Sequence, residues 1–157
     1  MKVKILFDMD GTIADLYGQG DWLECLQNGD SKPYKLASPL CDMSRLAKVC
    51  GDLIIKGVEI EIVSWLAKNS DKEFNAATRQ AKRNWLKENN FKATDIHLVK
   101  YGTPKARYKK VGDSLTILFD DDEKVRGDFE SHKNCIAFNP NEVDICEILE
   151  KVATNIC

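Results

Sequence analysis

The sequence predicts an α/β fold, a Rossmann-like three-layer sandwich in which a central parallel sheet lies between helices. Three observations carry that expectation. Short apolar runs rich in β-branched and aromatic residues recur at 3–7, 59–63, 96–99, 115–119 and 135–138. Segments with helical apolar spacing separate most of them, and such alternation builds parallel sheets through right-handed crossovers. The length of 157 residues suits one domain spanning 1–157, with a substantial core and at most a small decoration.

The first run, Val-Lys-Ile-Leu-Phe, reads as a short buried strand that stops at Asp8. Residues 17–42 carry glycines at 18, 20 and 29 and prolines at 33 and 39 among scattered Trp22, Leu23, Leu26, Tyr34, Leu36 and Leu40. That is too long for a simple loop and too short for a domain. It is read as a small helical cap or flap inserted after the first strand, over the strand ends. Its aromatic residues are expected to form the flap's own small core, with stacking on a base as the other reading. A helix follows over 45–54, with Leu46, Cys50, Leu53 and Ile54 on one face. Strand 59–63 leads to a long helix at 71–89, opened by Ser70 or Asp71 and presenting Phe74, Ala77, Ala81 and Trp85. After strands 96–99 and 115–119, Asp122 caps a helix at 123–130. Strand 135–138 then hands over through Asn139-Pro140-Asn141 to a last helix at 143–156, with Ile145, Leu149, Val152 and Ile156 at core spacing. Gly57, Gly102 and Gly112 fall in the connections.

Composition narrows the function classes. A net charge of -2 and a pI near 5.7 disfavour a broad basic face for duplex nucleic acid. Cysteines at 25, 41, 50, 135, 146 and 157 form no CxxC pair, and with only His97 and His132 the ligand spacing of a zinc site is missing. They read as ordinary thiols. The amino terminus meets Asp8 before a signal-peptide core accumulates, and no run approaches membrane-spanning length. A reduced, cytoplasmic setting is therefore expected, with no membrane partner.

The chemistry is concentrated where apolar runs end. Asp8 and Asp10 leave the first strand two residues apart and so point the same way, while Gly11 permits a sharp turn. Adjacent like charges cost free energy unless a cation or a shared proton relieves them. Both remedies suit phosphoryl transfer, with one carboxylate as nucleophile and metal ligand and the other trading a proton. The second run ends at Ser64, the third is followed by Tyr-Gly-Thr-Pro-Lys105, and the fourth ends in Asp120-Asp121. In an open parallel sheet all of these gather at one edge, the edge where ligands bind.

This order of parts resembles the haloacid dehalogenase (HAD) superfamily of phosphohydrolases: DxD with Gly-Thr, then Ser, Lys and an Asp pair. Asp-Met-Asp-Gly-Thr-Ile-Ala-Asp-Leu and Ile-Leu-Phe-Asp-Asp look like its 5'(3')-deoxyribonucleotidase branch. The resemblance spans about the first 125 residues; its first and last motifs are specific, whereas Ser64 and Lys105 are weak signals. It implies a HAD-like fold and a magnesium-dependent phosphomonoesterase acting on a small phosphomonoester, foremost a nucleoside monophosphate. Asp8 would be the nucleophile that forms an aspartyl phosphate, and Asp10 the acid and then the base. Mg2+ would be held by Asp8, by Asp10 through its carbonyl, and by Asp120, with Asp121 acting directly or through water. Ser64 and Lys105 would meet the phosphate, helped by the backbone of the turn at Gly11 and Thr12.

Other readings accompany these assignments. Ser64 also suits a turn cap, and Lys100, Lys109 and Lys110 compete with Lys105. Asp122 reads as a helix cap, Asp15 as a loop anchor, and Trp65 as packing or a pocket wall. The 17–42 insertion is shorter than the nucleotidases' cap, which leaves a sugar phosphate, a phosphorylated nucleic-acid end or a phosphoprotein as alternative substrates. A mutase or phosphotransferase shares the first steps. A receiver-type signalling domain also gathers acids and a lysine, but carries its phosphorylated Asp alone at a later strand end.

Overall fold

The computed structural model describes residues 2–156; Met1 and Cys157 lie outside it. In chain order the elements are β1 (Val3–Phe7), β2 (Ala14–Asp15), α1 (Trp22–Gln27), α2 (Lys32–Leu36), β3 (Ser38–Pro39), α3 (Met43–Ile55), β4 (Glu59–Trp65), α4 (Lys72–Glu88), β5 (Asp95–Val99), a one-turn 3-10 helix (Lys105–Tyr108), β6 (Leu115–Phe119), α5 (Glu123–Glu130), β7 (Cys135–Phe138) and α6 (Ile145–Asn155). Five strands form one parallel sheet in the order β5-β4-β1-β6-β7. The predicted α/β sandwich is what the chain forms.

The chain leaves β1 toward β4 and leaves β6 toward β7, on opposite sides, and these diverging connections open a crevice at the carboxyl ends of β1 and β6. Register sets which residues meet at that crevice. Phe7 pairs with Phe119 across β1 and β6, and the Asp8 N–H donates to the Phe119 carbonyl at 2.9 Å. Asp8 and Asp120 therefore leave neighbouring strands at the same level.

Alternate residues of β1 serve two cores, as a pleated strand between two helical layers requires. Ile5 and Phe7 face α3 and α6, with Phe7 and Phe119 stacked at 5.2 Å between ring centres, whereas Leu6 joins Val63, Leu118 and Phe129 on the opposite face. Helix α3 buries Leu46, Val49, Cys50 and Leu53, and α6 buries Ile145, Cys146 and Leu149. Leu16, Tyr34, Phe74 and Ala81 form a third cluster, which joins the 17–42 segment to α4.

Boundaries moved where side-chain caps or pairing decided them. Helix α3 starts two residues before 45 because Asp42 accepts the Arg45 N–H at 3.0 Å. Asp144, not Asn139-Pro140-Asn141, caps α6. Asp71 caps α4, and Asp122 caps α5 as expected. On α4 the buried stripe runs through Thr78 and Lys82, leaving Ala77 exposed. Strand β4 continues two residues past 63, because Ser64 and Trp65 pair with Leu98 and Val99. Asp15 anchors its loop by accepting the Gly18 N–H at 2.9 Å. Among the described residues Cys25, Cys41, Cys50, Cys135 and Cys146 are free thiols, and no helix is long and apolar enough to cross a membrane.

Candidate active site

Asp8 leaves β1 into a turn whose own atoms hold it. The Thr12 hydroxyl donates to Asp8 Oδ2 at 3.1 Å, while Lys105 Nζ donates to Asp8 Oδ1 at 2.8 Å and to Asp120 Oδ2 at 2.6 Å. Asp120 is fixed further by the Asp122 N–H, which donates to its Oδ1 at 2.9 Å, and by Arg126, which donates to its backbone carbonyl at 3.0 Å. Carboxylate oxygens of Asp8, Asp120 and Asp121 all lie within 4.8 Å of one another. Among the described residues, Lys105 is the one lysine that reaches this trio, and it bridges Asp8 and Asp120.

Crowding shows in the protonation behaviour. Burial, then repulsion from Asp8, pushes the Asp120 carboxyl up to about 6; burial with repulsion from Asp8 and Asp120 pushes Asp121 up to about 7. Burial alone would lower Lys105, but the adjacent Asp8 and Asp120 outweigh it and hold the ammonium above its ordinary range. Asp10 is raised by burial, against the opposing pull of Lys82. Four carboxylates (Asp8, Asp10, Asp120, Asp121) against two ammonium groups (Lys82, Lys105) leave a surplus of two negative charges when all are ionised. An all-oxygen donor set with that surplus fits a hard divalent cation such as magnesium and does not resemble a zinc site.

The expected residues divide into two groups. Asp8, Lys105, Asp120 and Asp121 converge, with Thr12 touching Asp8 and Gly11 packed under Asp121. Asp10 lies outside the carboxylate trio, because its Oδ2 accepts from Lys82 Nζ at 2.7 Å. Ser64 is fully buried and touches Lys82, not the cleft. Of the competing lysines, Lys110 pairs with Glu59, Lys100 is exposed and Lys109 is half-buried; among the described residues, only Lys105 of these four reaches the acids. Lys82 was missed. Its signal was a lysine four residues after Thr78 and eight after Phe74, on the apolar stripe of a helix, where an unpaired charge is costly.

The acids sit at the floor of a cleft of about 800 Å³. Its walls include Tyr17, Trp22 and Tyr34 from the 17–42 segment, facing Trp65 and Tyr101. Trp65 is a wall residue held in place, since its indole N–H donates to the Thr103 carbonyl at 2.8 Å and its ring lies 5.0 Å from Tyr101. Tyr17 packs edge-on against Trp22 at 4.9 Å. The flap aromatics thus pack on one another and also line the cleft.

Gly11 shows how tightly the turn is built. Its φ is +78°, and an added Cβ would lie 2.8 Å from both Asp121 Cγ and Tyr17 Cε2. Gly11→Ala is expected to destabilise the fold by about 1–3 kcal/mol. Urea unfolding measures this, and an unshifted midpoint would contradict the close approach.

No protein-family model and no curated protein sequence matches the chain. Solved structures do. Over 98% of this chain and 99% of the other, it superposes on the D,D-heptose 1,7-bisphosphate phosphatase of B. bronchiseptica complexed with magnesium and phosphate, at TM-score 0.58 and 11% identity. The two share a fold. The Burkholderia thailandensis D,D-heptose 1,7-bisphosphate phosphatase is also similar, at TM-score 0.49 and 10% identity over 99% of this chain and 100% of that one.

Proposed function

We propose that the chain is a magnesium-dependent phosphomonoesterase that passes through an aspartyl phosphate on Asp8. The observation that carries this reading is the convergence of Asp8, Asp120 and Asp121 within 4.8 Å around the buried Lys105. Asp8, Asp120 and Asp121 would hold the ion, which when bound supplies charge neutralisation at the phosphate. An Asp8 oxygen, aimed by Lys105 and Thr12, attacks phosphorus as the ester P–O bond breaks. Asp10, raised by burial, gives its proton to the departing alkoxide. It then takes a proton from the water that hydrolyses the acyl phosphate, releasing phosphate and regenerating Asp8. Lys105 offsets charge at the crowded centre. The phosphate-binding roles of Gly11 and Thr12 rest on the sequence resemblance, whereas Ser64, for which the resemblance implies the same role, is buried against Lys82 and does not line the cleft.

For the alcohol part of the ester, a sugar phosphate is the leading reading. Its support is the B. bronchiseptica neighbour, a sugar bisphosphate phosphatase whose structure holds magnesium and phosphate. A nucleoside monophosphate is the second reading, favoured by the ring-lined walls of the cleft, where a base has flat partners. Phosphate release from sugar phosphates, nucleoside monophosphates and 5'-phosphorylated oligonucleotides, with magnesium and with a chelator, tests both. Magnesium-dependent release is expected, fastest from sugar phosphates. Release that survives the chelator would remove the metal, and none from any ester would remove the activity.

A further inference from the structure

We infer that Lys82 is a positioning residue for the proton-transfer carboxylate Asp10, an assignment that rests on the phosphomonoesterase reading. Lys82 comes from the middle of α4, is 1% exposed, and spends all three of its N–H bonds on acceptors. It donates to Asp10 Oδ2 at 2.7 Å, to Ser64 Oγ at 2.7 Å and to the Trp65 carbonyl at 3.0 Å, while the Tyr34 ring covers it at 4.8 Å. So bonded, its Nζ is a donor fixed in place.

Two of its acceptors belong to β4, so the ammonium is anchored to the sheet. Asp10, on the turn after β1, is pinned through one oxygen. Among the described residues no donor reaches its Oδ1, and Asp10 lines the cleft. Lys82 thereby sets the carboxylate's orientation and leaves one oxygen to exchange a proton with the ester. Ser64 takes a different part from the one its sequence position suggested, as an acceptor that holds Lys82 in line. Lys105 cannot replace this function, because its partners are Asp8 and Asp120.

A positioning role separates substrates by leaving group. An alkyl phosphate needs its departing oxygen protonated, whereas 2,4-dinitrophenyl phosphate departs without that help. First-turnover rates, normalised to the burst amplitude so that only active sites count, are compared for native chain and Lys82→Met. The variant should lose about 10–100-fold on an alkyl ester and less than about threefold on the dinitrophenyl ester. Ser64→Ala should shift the same ratio in the same direction by a smaller factor, and it decides the matter if Lys82→Met does not fold. Equal losses on both esters, or no loss on either, would overturn the assignment to Lys82 while leaving the phosphomonoesterase reading intact. A native chain silent on both esters would instead remove that reading and the Lys82 assignment with it.

Discussion

Asp8→Asn should abolish turnover, with a loss of at least about 10³-fold and no burst of product, while the chain stays folded. The amide has the shape of the carboxylate but no anionic oxygen to attack phosphorus. Folding is expected to survive because Asp8 is one of three acids crowded within 4.8 Å, and removing one charge leaves Lys105 still paired with Asp120 at 2.6 Å. The thermal midpoint should therefore hold or rise while phosphate release disappears. Such a stability gain at the expense of activity is characteristic of strained functional clusters. Phosphate-release assays beside a melting curve check both halves. Turnover within tenfold of native would remove Asp8 as nucleophile, and a collapsed melting curve would show that its charge is needed for the fold.

Lys105→Met should have the opposite signature. Lys105 is 3% exposed and bridges Asp8 and Asp120, so its loss strands buried carboxylates without a counter-charge. Breaking a buried pair by removing one partner costs about 3–5 kcal/mol. For a chain of this size each kcal/mol moves the midpoint by about 2–4 °C, so a fall of about 6–20 °C is expected. Magnesium should recover part of that fall, because a divalent ion supplies the missing charge. The matching exposed change, Lys100→Met, should stay within about 0.5 kcal/mol of native. Calorimetry with and without magnesium checks the pair; equal midpoints for the two variants would mean that Lys105 does not carry the charge balance of the site.

The sheet and the acid cluster were legible because each depends on short-range pattern. Apolar runs marked the five strands, and Asp8, Asp120 and Asp121 stand directly at their ends, where register alone brings them together. Lys105 was only weakly legible, because Lys100, Lys109 and Lys110 stand in the same segment and position along the chain does not separate them. What sequence reading missed lay in contacts between distant elements. Lys82 meets Asp10 across 72 positions of sequence, and nothing local distinguishes it from the solvent-facing Lys87 on the same helix except its place on the buried stripe. Ser64 was judged by position and read as a ligand group, but two further residues of β4–β5 pairing place it inside the protein, beneath Lys82. Asp42 and Asp144 took the capping positions because their side chains reach the free N–H groups at the starts of α3 and α6, a decision of geometry that composition only brackets.

The 17–42 segment supplies Tyr17, Trp22, Leu23, Leu26, Gln27 and Tyr34 to the cleft and none of its charges, all of which ride on the segments that follow β1, β4, β5 and β6. The insert thus contributes uncharged wall, and the strand ends contribute the charge. On the proposed phosphomonoesterase reading, changing the exposed cleft residues Leu23 and Gln27 would retune which alcohol is accepted, whereas Tyr34 over Lys82 and Tyr17 against Gly11 fasten the same insert to the acid turn.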